Sequence, residues 1–486
     1  MQTTTYNLRF IARITLEAAT PLAIGSGRKS ILTDATINRD ANGLPFIPGT
    51  TLAGLIRHAI GEETAKPLMG FIGKKQGKGN EYELEGSRLI ITEAKLLDCY
   101  GKAVDGLVNV DGYEDQAKRA FLNGFKYAPI RQHAKINHYG VTEDGGKFDE
   151  EVVPKGARFC FEMELMACSE HPEMAAKEEE NFKKCLNTLM AEGFRVGGKS
   201  RNGFGKIKVV DDSCLYRKLD LSKAEDLEWY LNKSASLAET WVGNGRFEWD
   251  KPKTSRYVRY ELKLKPRDFL FFGSGFGDED VDHTYIKERF ITWDAPDKGR
   301  WEAAKTSLVV PASSVKGALS HRTAYHYNKL HKRFADGLSA KEMEKLVGKN
   351  NEAVIALFGS EGNNKQEGKE DDGKRRGHVL FADIVCRKAP QTTAKVFNHV
   401  KIDRFTGGGI DGALFDEEAL FAKEESGVKL EILLDKDERI TSDPRIIEAF
   451  EAALTDVCKG MLPLGGGVNK GYGMFEGKLL KDGEPI

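Results

Sequence analysis

A glycine-rich motif occurs twice in this chain of 486 residues, once near the middle and once near the C-terminus. The first copy, residues 197–205, reads GGKSRNGFG, and the second copy, residues 465–473, reads GGGVNKGYG. Both fit G-G-x-x-x-x-G-[FY]-G, carry a basic residue and lead into strand-like sequence. Glycine lets backbone N–H groups approach an anion closely, and successive N–H groups can form an anion-binding nest. One such loop is usually a flexible turn, but two with identical spacing favour a duplicated phosphate site.

Four other landmarks recur in the same order as the glycine loops. Each second copy lies 248 to 268 residues after the first: residues 25–27 (GSG) return at 273–275, 47–58 (IPGTTLAGLIRH) at 310–321 (VPASSVKGALSH), 133–139 (HAKINHY) at 399–405 (HVKIDRF), and 148–151 (FDEE) at 415–418. Five landmarks in one order at nearly one offset are hard to attribute to chance. We therefore predict that the chain is a tandem duplication of one domain.

Hydrophobic patterns within each copy predict both strands and helices. Residues 7–17 and 256–264 alternate apolar and polar side chains, as half-buried strands do. In residues 50–59 the apolar side chains recur at the spacing of one helix face. Each copy offers about four strands and two helices in an order compatible with βαββαβ. The predicted fold class is therefore α+β, with two tandem ferredoxin-like domains whose sheets resemble the platform of RRM-type RNA readers.

Three segments interrupt or join the two copies. Residues 213–255 are polar and helix-leaning, and we expect them to connect a first domain at 1–212 to a second at 256–486. Residues 133–156 are polar and turn-rich between two strand-like pieces, which predicts a long hairpin. Residues 361–377 are low in apolar side chains and dense in charge, which is typical of an exposed, disordered loop.

Composition excludes several classes of protein. The chain has 73 basic and 74 acidic residues, so a nucleic-acid partner would need local basic patches. The seven cysteines are scattered without a C-x-x-C pair, which argues against a zinc site or a disulfide framework. The N-terminal residues lack the layout of a signal peptide, and no apolar run approaches the ~18 residues of a membrane helix. We expect a cytoplasmic protein without a membrane partner.

The duplicated segments also resemble a known family. The resemblance rests on GSG followed by residues 34–40, on IPGTTLAGLIR at 47–57, on the L-x-G element at 68–70 and 357–359, and on the hairpin sequence at 399–418. These segments are similar to the RAMP superfamily, specifically to the backbone (Cas seven-type) subunits of type III CRISPR–Cas effector complexes. Two such domains in one chain resemble the double-domain subunit of the subtype III-D complexes.

The resemblance implies an antiviral ribonucleoprotein in which this subunit lies along a CRISPR RNA (crRNA) guide paired with target RNA. Its protein partners would be further RAMP backbone subunits, a large polymerase-like subunit and a small subunit. The hairpins at about 131–155 and 398–424 would be thumbs that interrupt guide–target pairing at regular steps. Candidate thumb residues are Lys135, Ile136, Tyr139, Lys401, Ile402, Arg404 and Phe405.

Two interpretations of the thumb side chains are open. The apolar ones, Ile136, Tyr139, Ile402 and Phe405, would either wedge between bases or pack within the hairpins. The repeated FDEE sequence is acidic and would repel RNA. We therefore expect its carboxylates to orient the thumb by pairing with Lys135, Lys401 or Arg404.

The resemblance further implies that an aspartate after GSG supports metal-dependent cleavage of the target RNA. That position is Asp34 in the first copy, and the offset of 248 residues nominates Asp282 in the second. The second copy has 29 residues from Asp282 to Pro311, against 14 from Asp34 to Pro48, and the extra residues carry a third candidate, Asp294. One carboxylate plus RNA phosphates suits hydrated Mg²⁺ or Mn²⁺. A lone aspartate in a turn is otherwise usually a cap.

Guide phosphates would be held by the glycine loops and by nearby basic side chains. The candidates are Gly197, Gly198, Lys199, Arg201, Gly465, Gly466 and Lys470 in the loops, and Arg28, Lys29, Arg57, Lys316, His321 and Arg322 elsewhere. Contacts to the backbone of a guide permit any guide sequence. Arg57 and Arg322 are explained equally well as helix-end caps or solvated charges.

Three functions remain open from the sequence. The first is a crRNA-binding subunit that cleaves target RNA at Asp34, and at Asp282 if the second copy is active. The second is the same scaffold without cleavage, which acts only as a structural filament subunit. The third is a metal-independent CRISPR RNA-processing nuclease that uses His58 or His321, although a histidine on a helix face is usually structural.

Overall fold

The computed structural model describes residues 6–31, 33–74, 82–168, 172–210, 213–241, 245–250, 255–361, 374–389, 392–422 and 427–486. Helices and strands are mixed along the chain, which is compatible with the predicted α+β class. Residues 362–373 of the predicted charged loop and residues 423–424 of the predicted second thumb lie outside the described residues.

The elements before residue 250 are built around one sheet. In chain order they are β1 (Leu8–Ala18), α1 (Gly49–Ile60), α2 (Glu62–Met69), β2 (Phe71–Lys74), β3 (Tyr82–Glu85), β4 (Leu89–Ile91), β5 (Lys95–Leu96), α3 (Gln116–Asn123), β6 (Ile130–Ile136), β7 (Thr142–Glu151), β8 (Arg158–Ala167), α4 (Pro172–Asn187), β9 (Ile207–Val209), β10 (Leu215–Asp220), α5 (Ala224–Asn232) and β11 (Gly245–Arg246). The strand order is β11-β10-β1-β8-β4, with β5 on β8 and β9 on β1.

The alternation of β1 places most of its apolar side chains on one face, with Ile11 on the other. Phe10, Ile14 and Leu16 are fully buried in a core that also contains Leu52 of α1 and Phe182 of α4. Because side chains on a strand alternate between faces, the intervening residues of β1 lie on the other side of the sheet.

The elements after residue 255 repeat this plan. In chain order they are β12 (Tyr257–Pro266), β13 (Phe269–Leu270), β14 (His283–Thr284), β15 (Phe290–Trp293), β16 (Gly299–Glu302), β17 (Ser307–Val310), α6 (Ala312–Leu330), α7 (Ala340–Leu346), α8 (Glu352–Phe358), β18 (Gly359–Glu361), β19 (Lys374–Arg376), β20 (Val379–Phe381), β21 (Ile384–Arg387), β22 (Thr393–Ile402), β23 (Gly409–Phe421), β24 (Val428–Asp435), α9 (Glu438–Thr441), α10 (Pro444–Cys458), β25 (Phe475–Lys481) and β26 (Glu484–Pro485). The main sheet has the order β20-β24-β12-β25-β26.

The second core lies between this sheet and helices α6 and α10. Tyr260, Leu262 and Leu264 of β12 are buried there, and the ring of Tyr260 packs edge-on against Phe450 of α10 at 5.6 Å. In both halves the central strand, β1 or β12, pairs antiparallel on one side with the strand that precedes the last helix. On its other side it pairs with the strand that follows the glycine loop.

The extra residues of the second copy pack against the first core. Trp293 and Trp301 of the β15–β16 hairpin lie against Phe121, with ring centroids 6.2 and 6.1 Å apart, and Trp301 is 4.9 Å from Phe125. The Trp301 indole also donates to the Phe121 carbonyl at 2.9 Å. The insertion therefore joins the two halves.

A buried ionic cluster joins the halves at the base of the β6–β7 hairpin. Arg131 of β6 pairs with Glu288 and, at 3.3 Å, with Asp383, and all three side chains are buried. Asp383 also accepts the Ala312 N–H at the start of α6 at 2.8 Å. Burial raises the pKa of Asp383 to about 6, although the Arg131 charge opposes the rise.

The predicted connector contains helix α5, as its sequence suggested, but it also adds strands to the first sheet. Its strand β10 pairs with β1 from Leu8 to Arg13, and its Trp241 packs on Ile11 and Leu219. The segment therefore covers the outer face of the first sheet. None of the helices in the described part of the chain combines the length and apolar character that crossing a membrane requires.

Candidate nucleic-acid interface

The loop after GSG lies along the returning strand of the hairpin in each half. The N–H of Asp34 donates to Asp149 Oδ1 at 2.8 Å, and the N–H of Asp149 donates to Asp34 Oδ2 at 3.3 Å. In the second half, the Asp282 N–H donates to Asp416 Oδ1 at 2.6 Å and the Asp416 N–H donates to Asp282 Oδ2 at 3.1 Å. The same reciprocal pair of aspartates occurs once in each half.

These contacts make Asp282 the geometric counterpart of Asp34. Asp294 lies instead at the turn of the β15–β16 hairpin, where it pairs with Arg300 at 3.2 Å. Asp278 accepts N–H groups of its own turn and pairs with Lys287 at 2.7 Å. The structure therefore does not bring Asp294 into the second aspartate pair.

Asp149 and Asp416 were missed as site residues, although each is the aspartate of an FDEE sequence. The repetition of FDEE was visible, but which side chains of a strand share a face with a distant loop is a tertiary fact. Side chains alternate along β7, so Asp149 lies on one face of the strand and its neighbours Phe148 and Glu150 lie on the other. The parallel pairing of Ala35 with Glu150 then aligns Asp34 with Asp149.

The aspartate pairs fit a partly hydrated divalent cation. Asp34 and Asp282 are exposed, and the second carboxylate oxygen of each accepts no hydrogen bond from the described residues. Within those residues, no group of three or more histidine, cysteine, aspartate or glutamate side chains could hold a metal ion. The carboxylates of one aspartate pair would suit Mg²⁺ or Mn²⁺, because such an ion would take its remaining ligands from water and RNA phosphates.

The glycine loops are tightly packed against the segment that follows the first strand of each half. A Cβ at Gly197 would lie 2.5 Å from the Ala23 carbonyl oxygen, and one at Gly465 would lie 2.5 Å from that of Phe271. Both glycines also have a positive φ, which L-amino acids rarely adopt. The N–H groups of Gly198 and Gly466 donate to these carbonyls at 2.7 Å. Contrary to the prediction, these two amides are therefore not available to a phosphate.

A buried glutamate ties each glycine loop to its hairpin. In the first half, Lys199 of the loop and His133 of β6 both pair with Glu150, at 2.8 and 2.7 Å. The ring of Phe148 stacks on His133 at 4.8 Å, and the Lys199 ammonium lies 4.2 Å from the centre of the same ring. Glu150 is 3% exposed. Burial raises its pKa, but hydrogen bonds from His133 and Lys199 outweigh this effect and hold the pKa below its usual value.

The second half repeats this cluster. Lys470 pairs with Glu417 at 3.2 Å, His399 pairs with Glu417 at 3.5 Å, and Phe415 stacks on His399 at 4.9 Å. The predicted pairing of the FDEE glutamates with Lys135, Lys401 or Arg404 is therefore wrong for Glu150 and Glu417. Lys135 pairs instead with Glu143 at 3.1 Å. The sequence suggested lysine partners within the hairpin because it could not show that the glycine loop lies beside it.

Comparison with known proteins decides the family. The family model of the RAMP superfamily matches residues 15–208 and 240–476. The chain belongs to the RAMP superfamily. A protein of Methanocaldococcus jannaschii named CRISPR system Cms endoribonuclease Csm3 is 26% identical over 263 residues, which cover 50% of this chain and 98% of that protein. The resemblance of the duplicated motifs to the RAMP superfamily is thereby confirmed.

The two hairpins of this RAMP protein expose apolar side chains at their tips. Tyr139 is 70% exposed, Phe405 is fully exposed, and Ile136 and Ile402 are about half exposed. Asp403 holds the second tip by accepting the N–H groups of Phe405 and Thr406 at 2.9 and 2.7 Å. Packing within the hairpins therefore leaves much of the surface of these four side chains exposed.

Several predicted RNA-binding side chains of the RAMP protein already have protein partners. Arg57 makes a two-point contact with Glu62 at 2.8 and 3.0 Å, and Arg322 pairs with Asp456 at 2.5 Å. Arg201 donates to the Gly377 carbonyl at 2.8 Å, and burial lowers its pKa to about 10. These three side chains stabilise the protein itself in this conformation.

The remaining basic candidates are distributed over two places. Arg28 and Lys29 are exposed beside the GSG loop of the first half. Lys316 of α6 donates to Asn202 Oδ1 at 2.9 Å, and the His321 ring lies 3.3 Å from the Ile136 carbonyl oxygen. The first hairpin therefore reaches α6 of the second half at His321, whereas Lys316 contacts the first glycine loop.

Proposed function

We propose that this RAMP protein is the crRNA-binding backbone subunit of a type III RNA-guided antiviral effector complex, and that it cleaves target RNA. The observation that carries the proposal is the reciprocal aspartate pair at the base of each hairpin, Asp34 with Asp149 and Asp282 with Asp416. The endoribonuclease name of the archaeal relative supports RNA cleavage. The partners would be the guide, the target RNA, further RAMP subunits, a large polymerase-like subunit and a small subunit.

Cleavage of RNA by its own 2′-hydroxyl needs a proton acceptor and stabilisation of the charge that develops on the phosphate. In this proposal, Asp149 fixes Asp34 through the two backbone hydrogen bonds and leaves Asp34 Oδ1 to accept a proton or bind a cation. Asp416 does the same for Asp282. A bound Mg²⁺ or Mn²⁺ would supply Lewis-acid stabilisation of the phosphate oxygens.

The clusters around Glu150 and Glu417 would act as positioning groups. Each buried glutamate directly follows an aspartate of a catalytic pair, and it fixes the strand to the glycine loop. Because Lys199 and Lys470 neutralise these glutamates, we assign them to positioning and not to direct phosphate binding. Guide phosphates would instead meet Arg28 and Lys29, which are exposed.

We also assign each half to the ferredoxin-like arrangement, with the domains at 1–212 and 256–486 and the connector at 213–255. The support is the antiparallel order of the sheets. The central strand of each sheet, β1 or β12, lies between the strand that precedes the last helix and the strand that follows the glycine loop. The hairpins β6–β7 and β22–β23 would be the thumbs.

The test is to map target cleavage in an assembled complex that contains guide RNA and one aspartate variant at a time. Asp34→Asn and Asp282→Asn should each remove a different set of cuts by about 10²-fold or more, because each removes one proton acceptor or cation ligand. Asp144→Asn is the matched control, since this aspartate is exposed on the first hairpin. Unchanged cleavage at every position in both variants would contradict the catalytic assignment and favour the alternative of a structural filament subunit without cleavage activity.

A separate experiment tests the histidine-dependent alternative. Neither His58 nor His321 is paired with a carboxylate among the described residues. We therefore expect the isolated chain to leave CRISPR repeat RNA intact in EDTA. Cleavage in EDTA that is lost in His58→Ala or His321→Ala would replace our proposal by a processing nuclease.

A further inference from the structure

Three lysines lie side by side on the outer face of the second sheet. In the register of β12, Lys263 lies directly opposite Lys429 of β24 on one side and Lys478 of β25 on the other. All three are exposed, while the flanking Leu262 and Leu264 face the core. Like charges directly opposite each other on neighbouring strands destabilise a sheet. Folding alone therefore gives no reason for this row.

Acidic neighbours neutralise the row only in part. Glu261 pairs with Lys429 at 2.5 Å and with Lys263 at 3.4 Å, and Glu476 pairs with Arg267 at 2.5 Å. Lys478 of the row and the nearby Lys265 and Lys459 have no acidic partner among the described residues. Six basic side chains, against Glu261, Glu431 and Glu476, give this face a local excess of positive charge, in a chain whose net charge is −1.

The row borders a groove of about 570 Å³. The groove lies between β12, β25 and the end of α10, where Lys459 follows the helix. It also adjoins the second glycine loop, because the Arg267 N–H donates at 2.9 Å to the carbonyl of Met474, which directly follows Gly473. A basic groove therefore continues from the end of the glycine loop across the sheet.

The equivalent face of the first sheet is covered. On β1, Ile11 packs under Trp241, and the guanidinium of Arg13 lies 4.9 Å from the centre of the Trp241 ring and pairs with Glu162. The first half also reaches the outer face of the second sheet, where Lys206 pairs with Glu431 at 3.0 Å and Glu192 pairs with Arg259, but Lys263, Lys429 and Lys478 stay exposed. The two faces thus differ in both cover and charge.

We propose that the outer face of the second sheet binds single-stranded RNA through its phosphates, at a site separate from the aspartate pairs. Base stacking would require aromatic side chains, and the nearest described side chains beside the row on this face, those of Glu261, Lys265, Glu431, Glu476 and Leu480, are not aromatic. Protein interfaces are depleted in lysine and need an apolar centre, so this face favours a polyanion over a protein. Phosphate binding would also relieve the repulsion within the row.

The first experiment measures the affinity of the whole protein for a 20-nucleotide oligouridylate as a function of salt. Loss of three phosphate contacts in Lys263→Ala/Lys265→Ala/Lys478→Ala should lower the log–log salt slope by about 2, which is about a 100-fold weaker affinity at 0.1 M salt. Removing like charges should leave the melting temperature unchanged or higher, so a loss of affinity would not reflect unfolding. Lys341→Ala/Lys345→Ala/Lys349→Ala is the matched control, because these lysines are exposed around helix α7.

The second experiment locates the RNA on the surface. Acetylation of Lys263 and Lys478, followed by mass spectrometry, should slow several-fold when the oligouridylate is present, while Lys341 and Lys345 react at the same rate. Equal rates with and without RNA would overturn the proposal. It would also be overturned if the triple variant kept its RNA affinity but lost binding to a polyglutamate peptide, since that result assigns the face to an acidic protein segment. Neither readout involves cleavage, so failure here is distinct from failure of the aspartate assignment.

Discussion

The two hairpins carry the same aspartate and glutamate contacts but stand on different supports. The residue two positions before the stacked histidine is Arg131 in the first hairpin and Phe397 in the second. Arg131 enters the buried ionic cluster with Glu288 and Asp383 of the other half. Phe397 packs within its own half, with its ring 4.9 Å from Phe269.

The aspartate and glutamate contacts are common to both hairpins, whereas the contacts that hold each hairpin in place differ. The first hairpin is fixed by charges that exist only where the two halves meet, so its geometry depends on the second half. The second hairpin is fixed by aromatic packing inside its own half. We therefore expect perturbations of the interface between the halves to act on the first site and to spare the second.

The largest expected effect is that of Arg131→Met. Removing the cation leaves Glu288 and Asp383 buried without their partner, which should cost about 3–5 kcal/mol of the free energy of unfolding, measured with urea. Cuts that depend on Asp34 should fall more than cuts that depend on Asp282. Arg439→Met is the control, because its ion pair with Asp437 is exposed to solvent and should contribute little to the free energy of unfolding. Equal losses in the two variants would mean that the cluster does not support the hairpin.

A pH series tests the same cluster with a smaller effect. The pKa of Asp383 is about 6 in the folded protein, above its unfolded value of about 3.9. The folded state therefore binds the extra proton between these values, and stability should fall by up to about 2–3 kcal/mol as the pH rises through this window. Urea unfolding at several pH values should show that Asp383→Asn flattens this slope. A slope that stays the same in the variant would assign the titration to another group.

Phe397→Ala should have a still smaller effect on stability. Its side chain is only partly buried, so truncation should cost about 1–2 kcal/mol, below the range for a fully buried phenylalanine. Because Phe397 packs within the second half, cuts that depend on Asp282 should weaken while those that depend on Asp34 persist. Weaker cuts at the positions that depend on Asp34, with unchanged cuts at those that depend on Asp282, would contradict the view that Phe397 supports the second hairpin.

The smallest effect on stability is expected at the hairpin tips. Tyr139→Ser and Phe405→Ser change exposed side chains and should alter the free energy of unfolding by less than about 0.5 kcal/mol. If the tips interrupt guide–target pairing, these variants should still change the sharpness of the cleavage pattern. Sharp, unshifted cuts in both variants would show that the tips do not act on the duplex.

Sequence reasoning identified the repeat and the first member of each aspartate pair. Glycine spacing and the GSG offset depend on local chain order, and local order was enough to nominate Asp34 and Asp282. It also nominated Asp294, because residue offsets cannot align an insertion whose path is unknown. The structure places Asp294 in the β15–β16 hairpin between the halves. The second members, Asp149 and Asp416, required knowledge of which strand lies beside the GSG loop.

The repeated landmarks by themselves predicted a duplicated α+β protein, because repeats and periodicities are properties of the chain, and the resemblance of their motifs to the RAMP superfamily indicated the family. Only the tertiary structure decided the partners of each charge. It placed Lys199 and Lys470 on buried glutamates, used the Gly198 and Gly466 amides within the protein, and left a lysine row open on the second sheet. The physical reason is that these ion pairs and strand registers join residues between 49 and 215 positions apart, and no local pattern encodes such contacts.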